Sequence, residues 1–204
     1  MIKIILIFYH FFIGFLLALY ILYISNKSKK SIIRKWSKKL LSILKVELKT
    51  NQDLCKILSN KNYLIVSNHI SWLDIFLINS IYPVVFLSKN DVAKWPMISK
   101  LTDSADTIYI NRNKKKLLSS ISLQIEKKLK NNHSVYVFPE SIATDGSKLL
   151  PFKSNFFQTA INSKIDILPI AIQYTEQNNF TSAPSYAGEI SLLQSILTLK
   201  KTKN

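Results

Sequence analysis

The stretch "YLIVSNHISWLDIFLINSI", residues 63–81, contains a strand-like run followed directly by a helix-like run. Residues 63–67 form a short β-rich run that is typical of a buried strand, and residues 74–81 form a helix candidate. Polar side chains, among them one of only three histidines in the chain, lie at the junction. A strand followed directly by a helix is typical of one unit of a layered α/β domain.

The same alternation continues through the rest of the chain. Short β-rich runs predict further strands at 84–88, 107–110, 134–138 and 166–174. The segments between them predict helices at 91–101, 113–131 and 155–163. Strands that alternate with helices predict an α/β domain over residues 51–204, with a largely parallel central sheet. In such folds the functional side chains lie where strands end and in the loops that follow.

The chain begins with an apolar run at residues 4–24 that only His10 interrupts. At about 1.5 Å per residue, a helix of this length crosses the hydrocarbon core of a bilayer. A secretory signal peptide is the rival interpretation, but lysines follow the run where a cleavage site would be expected. Only Lys3 and the amino terminus precede it, so the positive-inside rule places residues from 25 onward in the cytoplasm. We therefore expect an inner (cytoplasmic) membrane protein whose main domain faces the cytoplasm.

A second helix, predicted over residues 31–49, has an apolar side and a basic side. Such a helix can lie in the plane of the lipid headgroups. It can also pack its apolar side on the domain and leave the basic side in solvent, and both descriptions hold if it bridges membrane and domain. We assign residues 1–50 to the membrane anchor and this amphipathic helix. The apolar residues are Ile33, Trp36, Leu40, Leu41, Ile43, Leu44 and Leu48, and the basic ones are Arg34, Lys35, Lys38, Lys39, Lys45 and Lys49.

The net charge of +16 is compatible with nucleic acid, anionic lipid or phosphorylated ligands as partners. The basic residues cluster beside the hydrophobic run, and the sequence contains no zinc-finger, RRM or KH pattern, so we expect membrane lipid and no nucleic acid. The single cysteine, Cys55, rules out an intrachain disulfide and a Cys-rich zinc site. Three histidines are few for a zinc centre of another kind, and no metal is predicted.

Three polar clusters each follow a predicted strand. Ser67 to Asp74 follow the first strand, Asn111 and Arg112 follow 107–110, and Glu140 and Ser141 follow 134–138. Because parallel strands end at the same edge of a sheet, these clusters can combine into one site.

His69 and Asp74 are five residues apart across a strand-to-helix turn. The acid can accept a hydrogen bond from one ring nitrogen and leave the other nitrogen as a base. No G-x-S-x-G pattern marks Ser71 or another serine as a nucleophile, so such a base would act on a hydroxyl of the substrate. A structural histidine with a helix-end acid is the simpler alternative, and spacing alone leaves it open.

Taken together, these motifs resemble the 1-acyl-sn-glycerol-3-phosphate acyltransferases, the PlsC-type lysophospholipid acyltransferases. The family motif N-H-x-S-x-x-D fits residues 68–74 fully, and F-P-E-G-T is similar to "FPESI" at 138–142. "KNDVAKWPMISKL" at 89–101 resembles K-x-E-L-x-x-x-P-x-x-G, and "DTIYINR" at 106–112 resembles G-x-x-F-I-D-R. The "V-P-V"-like strand of the family is similar to "ILPIAIQY" at 167–174.

The resemblance implies a role for each matching residue. His69 would deprotonate the free hydroxyl of a lysophospholipid, with 1-acyl-glycerol-3-phosphate as the expected acceptor and phosphatidic acid as the product, and Asp74 would orient His69. The hydroxyl would attack an acyl thioester of acyl carrier protein or coenzyme A, the co-substrate, and no other cofactor is implied. Arg112 would hold the acceptor's phosphate and Glu140 would position the acceptor. The other substrate-binding positions that the resemblance implies are Asn111 and Ser141.

The sequence departs from the family motifs at several positions. Ser141, Asp106 and Ser99 stand where the motifs have glycine, Asn111 replaces Asp, and Asp91 replaces Glu. If position 141 requires a positive φ, serine there costs about 1–2 kcal/mol. We also expect the chain to be clipped at its C-terminus relative to the family. Two alternatives therefore stay open, namely a catalytically weak or inactive lipid-binding relative and an acyltransferase for another lysolipid.

Overall fold

A five-stranded parallel sheet forms the centre of the computed structural model, which describes residues 2–21, 23–89, 96–110, 117–188 and 192–201. The strand order is β3-β2-β4-β1-β5. This confirms the predicted α/β class with a largely parallel sheet. The strands are β1 (Leu64–Ser67), β2 (Val85–Lys89), β3 (Ile108–Ile110), β4 (Val135–Val137) and β5 (Ile167–Ile170).

Helices connect the strands and precede the sheet. The helices within the described residues are α1 (Ile2–Ile21), α2 (Asn26–Leu44), α3 (Leu54–Asn60), α4 (Leu73–Ile81), α5 (Pro96–Ser104), α6 (Leu117–Lys130), α7 (Asn155–Ser163) and α8 (Leu192–Lys201). A hairpin of β6 (Thr175–Glu176) and β7 (Asn179–Phe180) lies in the segment between β5 and α8. The predicted strands at 63–67, 84–88, 107–110 and 134–138 and the helices at 74–81 and 155–163 are confirmed with small shifts of their ends. The strand predicted at 166–174 is confirmed only over Ile167–Ile170. The first residues of the helices predicted at 91–101 and 113–131 lie outside the described residues.

Both faces of the sheet are covered, which explains why its strands read as continuous apolar runs. One face packs on α6 and α7, and the other packs on α3 and α4. The hydrophobic cluster between the sheet and helices α6 and α7 contains Leu64, Val66, Val85, Val135, Val137, Ile121, Ile125, Leu129, Phe156 and Ala160. The hydrophobic cluster on the other face, beneath α3 and α4, contains Ile65, Phe86, Tyr136, Leu58, Ile78 and Val84.

Helix α2 packs its apolar side on α4, as one of the two sequence interpretations requires. Leu40, Leu41 and Leu44 are buried in one cluster with Leu73 and Leu77 of α4. The basic side of the helix stays in solvent, where Lys35, Lys38 and Lys39 are exposed.

The predicted bounds of this helix, 31–49, are wrong at both ends. The helix begins at Asn26 because Ser25 caps it, with Ser25 Oγ accepting the Ser28 N–H at 3.4 Å. It ends at Leu44 because Lys45 adopts a left-handed conformation, with φ of 59°, and donates its N–H to carbonyls of the last turn.

Helix α1 lies along α2 through a stripe of residues spaced three or four apart. The ring of His10 stacks on Trp36 with 4.8 Å between centroids, and Trp36 Nε1 donates to the His10 carbonyl at 3.1 Å. Gly14 makes this close approach possible, because a Cβ there would lie 2.5 Å from Trp36 Cζ2. The buried stripe consists of Ile7, His10, Gly14, Ala18 and Ile21.

The opposite side of α1 is apolar and exposed. Its residues include Ile5, Phe8, Tyr9, Phe12, Leu16 and Tyr20. Lys3–Ile21 is the one helical segment, among the residues that the structure describes, that is long and apolar enough to cross a membrane. Exposed apolar surface of this extent is typical of contact with lipid or with another protein.

Candidate active site

The loops after three neighbouring strands, β4, β1 and β5, meet at the carboxyl edge of the sheet. Asn68 joins two of them, because its Nδ2 donates to the Ile172 carbonyl at 2.8 Å and its Oδ1 accepts the Ile172 N–H at 2.8 Å. These paired hydrogen bonds fix the segment after β5 beside the loop after β1. His69, the candidate base, lies in the loop between β1 and α4. It is therefore surrounded by side chains from all three loops.

His69 and Asp74 form a hydrogen bond across the turn into α4. The distance from His69 Nδ1 to Asp74 Oδ2 is 2.9 Å. The carboxylate is fully buried, whereas the His69 side chain is 20% exposed. Because the carboxylate accepts from Nδ1, the other ring nitrogen, Nε2, is left to accept a proton.

Backbone N–H groups in the turn before α4 position the Asp74 carboxylate. The Ile70 N–H donates to Oδ2 at 2.8 Å, and the Ser71 N–H donates to the same oxygen at 3.0 Å. Both N–H groups belong to the turn that precedes α4, which begins at Leu73. The N-H-x-S-x-x-D spacing thus places an acid where this turn holds it beside the histidine.

Tyr174 also contacts this carboxylate, and the sequence did not single it out. Its hydroxyl donates to Asp74 Oδ1 at 2.7 Å. Burial and the neighbouring Asp74 carboxylate raise the pKa of Tyr174, so its hydroxyl stays a donor. In the sequence, Tyr174 stands at the end of the predicted strand 166–174. That position predicts that it lies at the carboxyl edge of the sheet, but it does not show where its side chain points.

Phe138, the residue after β4, covers one face of the His69 ring. The ring centroids are 3.9 Å apart and the planes differ by 19°. Because His69 is held by a hydrogen bond at Nδ1 and by stacking on its face, the ring has one fixed orientation. That orientation is what a general base needs.

Glu140 is buried, with 5% exposure, and both of its carboxylate oxygens accept backbone hydrogen bonds. Oε1 accepts the His69 N–H at 2.9 Å, and Oε2 accepts the Leu150 N–H at 2.9 Å. The loop after β4 is tied to His69 a second time, because the Thr144 N–H donates to the His69 carbonyl at 2.9 Å. Glu140 therefore lies next to His69, and its contacts hold the backbone of the histidine.

Two positions where the family motifs have glycine adopt left-handed backbone conformations in this chain. Ser141 has φ of 67° and Asp106 has φ of 57°. A side chain at such a φ is strained, so the condition set for Ser141 from the sequence is met. Ser99, the third such position, lies inside α5.

Asn111 and Arg112 lie outside the described residues. Strand β3, which precedes them, ends at Ile110 at the same edge as the other strands, but β2 and β4 separate it from β1. At about 4.8 Å per strand, three steps place the end of β3 roughly 14 Å from β1. The role of Arg112 as a phosphate ligand stays a prediction.

Ser71 has a structural contact rather than the environment of a nucleophile. It is fully buried, and its Oγ accepts the Leu73 N–H at 3.3 Å at the start of α4. Among the residues that the structure describes, no three His, Cys, Asp or Glu side chains are grouped so as to hold a metal ion. A base without a protein nucleophile can activate a hydroxyl that arrives with the substrate.

Comparison with known proteins gives consistent matches. A family model described as acyltransferase matches residues 45–173. A 1-acyl-sn-glycerol-3-phosphate acyltransferase of Neisseria gonorrhoeae is 37% identical over 141 residues, which cover 68% of this chain and 55% of that protein. A lyso-ornithine lipid O-acyltransferase of Rhodobacter capsulatus is 34% identical over 115 residues, which cover 54% of this chain and 41% of that protein. The chain spans about half the length of these curated relatives.

A solved structure has the same fold. The crystal structure of PlsC from Thermotoga maritima, described as a 1-acyl-sn-glycerophosphate (LPA) acyltransferase, superposes with a TM-score of 0.67. The match covers 81% of this chain and 68% of that chain, at 23% sequence identity. At this identity the likeness shows the fold, which agrees with the parallel sheet and the helices around it.

Proposed function

Because the chain belongs to the acyltransferase family, we propose that it transfers a fatty acyl group from a thioester to the free hydroxyl of a lysophospholipid. The observation that carries this proposal is the His69–Asp74 pair, with 2.9 Å between Nδ1 and Oδ2 and with Nε2 left as the base. The buried Ser71 supports direct transfer, because it is not placed to form an acyl-enzyme intermediate.

In the proposed reaction, His69 Nε2 takes the proton from the lysolipid hydroxyl as the oxygen attacks the thioester carbonyl. Asp74 stabilises the positive charge that forms on the imidazole, since it accepts from Nδ1. The tetrahedral intermediate then collapses, the C–S bond breaks, and the thiolate leaves with the proton held by His69. The products are a new ester and the free thiol of acyl carrier protein or coenzyme A.

We propose 1-acyl-glycerol-3-phosphate as the acceptor and phosphatidic acid as the product. The relative at 37% identity carries that substrate in its name. Arg112 supports a phosphorylated acceptor, because a guanidinium presents two parallel donors to a phosphate. Glu140 supports the site indirectly, through the His69 backbone that it holds.

A second acceptor class also has an observation in its favour. Relatives from Rhodobacter capsulatus and Rhizobium meliloti, at 34% and 27% identity, are lyso-ornithine lipid O-acyltransferases. A lyso-ornithine lipid is therefore the alternative acceptor. The two are distinguished by supplying each lysolipid in turn at matched concentration in mixed micelles.

The exposed apolar side of α1 supports a membrane location. Phe8 and Phe12, with 62% and 51% exposure, belong to a side of the helix that faces away from α2. We propose that this surface enters the bilayer and that the domain lies at its cytoplasmic side, where acyl carriers are found. A lipid acceptor then meets His69 at the membrane surface.

Growth complementation tests the proposal. Cells that lack their own lysophosphatidate acyltransferase should grow when they express this chain, and should not grow when they express His69→Ala. The matched control is His133→Ala, which removes a histidine far from the site and should restore growth like the parent chain. Protein that is present in the membrane fraction without restoring growth would favour an inactive lipid-binding relative or another lysolipid as the acceptor.

A further inference from the structure

We propose that Tyr174 is a positioning residue of the His69–Asp74 pair and sets the basicity of His69 through the second oxygen of Asp74. This inference rests on the proposed function, because it assigns a role within the same site. The evidence is the 2.7 Å hydrogen bond from the Tyr174 hydroxyl to Asp74 Oδ1.

The hydrogen bonds to the Asp74 carboxylate are divided unequally between its two oxygens. Oδ2 accepts from His69, Ile70 and Ser71, whereas Tyr174 is the donor to Oδ1 within the described part of the chain. Asp74 is fully buried, so solvent does not stand ready to replace a lost donor. Removal of the tyrosine hydroxyl would therefore leave Oδ1 unpaired in the interior.

The chemical consequence follows from the charge on the carboxylate. A donor at Oδ1 draws negative charge away from Oδ2, which is the oxygen that binds His69 Nδ1. Without that donor, Oδ2 attracts the Nδ1 proton more strongly and stabilises the imidazolium. His69 would then hold its second proton to higher pH, and a smaller fraction of it would be free to act as a base at a given pH.

The backbone on both sides of Tyr174 is fixed, so its hydroxyl has a defined position. The Asn68 amide binds Ile172, two residues before it, through two hydrogen bonds of 2.8 Å. The Tyr174 carbonyl accepts the Thr181 N–H at 3.0 Å, across the hairpin. A side chain held in this way can orient a partner, which is the property that a positioning residue requires.

The other titratable groups at this place come from neighbouring elements. Tyr136, from β4, is fully buried and donates its hydroxyl to Ser67 Oγ at 2.7 Å. Glu140, after β4, binds the His69 backbone N–H. Tyr136 does not bind Asp74 in the structure, so Tyr136→Phe removes a buried hydroxyl of the same kind without touching the carboxylate.

An NMR titration of the His69 imidazole in the full chain tests the proposal without requiring turnover. The three histidines are assigned with His10→Gln, His69→Gln and His133→Gln. Tyr174→Phe should raise the pH midpoint of the His69 titration by about half a unit, and Tyr136→Phe should leave it unchanged. An unchanged midpoint in Tyr174→Phe, or an equal change in both variants, overturns the proposal.

A second variant keeps the test decisive if Tyr174→Phe does not fold. Site-specific replacement of Tyr174 by 3-fluorotyrosine keeps the hydroxyl and nearly the same volume but makes the phenol a stronger hydrogen-bond donor. The His69 midpoint should then fall rather than rise. A midpoint that stays the same or rises in the fluorinated protein contradicts the proposal.

Acyl-transfer kinetics add a functional measurement. Tyr174→Phe should lower kcat up to about threefold at pH values below the His69 midpoint, with little change in KM, because a half-unit rise in the midpoint reduces the fraction of neutral imidazole by at most that factor. The acidic limb of the pH profile should move to higher pH together with the NMR midpoint. If the parent chain shows no acyl transfer, the proposed function fails, while the NMR titration still decides the role of Tyr174.

Discussion

Replacement of Ser141 by glycine should stabilise the protein, although the residue lies in the loop that holds His69. Ser141 has φ of 67°, in the left-handed region. A residue with a Cβ costs about 1–2 kcal/mol in this region, whereas glycine adopts it freely. One hydrogen bond that would be lost, from Ser141 Oγ to the Pro139 carbonyl, is 3.5 Å long and therefore weak.

The expected gain is smaller than the strain that is relieved. Glycine loses about 0.5–1 kcal/mol more backbone entropy on folding than a residue with a side chain. The difference predicts that Ser141→Gly raises the free energy of unfolding by about 0.5–1 kcal/mol. For a chain of this size, that corresponds to an increase in Tm of about 1–4 °C.

The matched control is Ser154→Gly. Ser154 is an exposed serine directly before α7, whereas Ser141 is half-buried; the φ of Ser154 is −65° and its side chain makes no capping hydrogen bond. Because no strain is relieved there, and glycine in place of serine before the first turn of a helix costs about a few tenths of a kcal/mol, Ser154→Gly should lower stability slightly.

Urea unfolding in mild detergent, followed by circular dichroism, gives the free energies for the parent and both variants. The reasoning predicts shifts of opposite sign for Ser141→Gly and Ser154→Gly. A loss of stability in Ser141→Gly, or equal shifts in the two variants, would refute the claim that position 141 carries backbone strain.

Further predictions concern the loop after β4, the anchor and the acceptor site. Glu140→Gln leaves one backbone N–H facing an amide nitrogen, and urea unfolding should show a loss of about 1–3 kcal/mol; an unchanged stability would argue against the two-sided hydrogen bonding of Glu140. Gly14→Ala places a Cβ against Trp36 and should cost about 1–3 kcal/mol and change the tryptophan emission, whereas an unaltered spectrum would mean that α1 does not pack on α2. Replacement of Phe8 and Phe12 by serine should release the protein from vesicles in high salt, where the parent stays bound because apolar burial is not screened; sedimentation of both in equal amounts would exclude this surface from membrane contact. Arg112→Ala should raise the KM for a phosphorylated acceptor and leave that for a lyso-ornithine lipid unchanged, and equal increases for both lipids would remove Arg112 as a phosphate ligand.

The sequence was sufficient for the centre of the sheet because β1 and β4 are short, continuous apolar runs buried on both faces. Local signals also placed His69 beside Asp74, since the spacing of the motif and the start of α4 together define their geometry. Other elements lacked such signals. Helix α3 is seven residues long with Leu58 as its buried residue, too short for a helical period to show. The end of α2 at Lys45 is a left-handed cap without the usual glycine.

The hairpin of β6 and β7 was missed for a related reason. Its two turn residues, Gln177 and Asn178, both have positive φ, as in a type I′ turn, but glutamine is not a residue that predicts one. The contacts of Tyr174 with Asp74 and of Glu140 with His69 could not be read from sequence, because they depend on the spatial order β4-β1-β5. That order is set by packing of the whole sheet, and no short pattern encodes it.

Turnover by purified protein tests the central claim most directly. The parent chain, His69→Ala and His133→Ala are each mixed with 1-acyl-glycerol-3-phosphate and an acyl thioester, and formation of phosphatidic acid is followed. Acyl transfer by the parent and by His133→Ala, with loss of about a hundredfold or more in His69→Ala, is the predicted result. Equal turnover by His69→Ala and His133→Ala would contradict a mechanism in which His69 is the base.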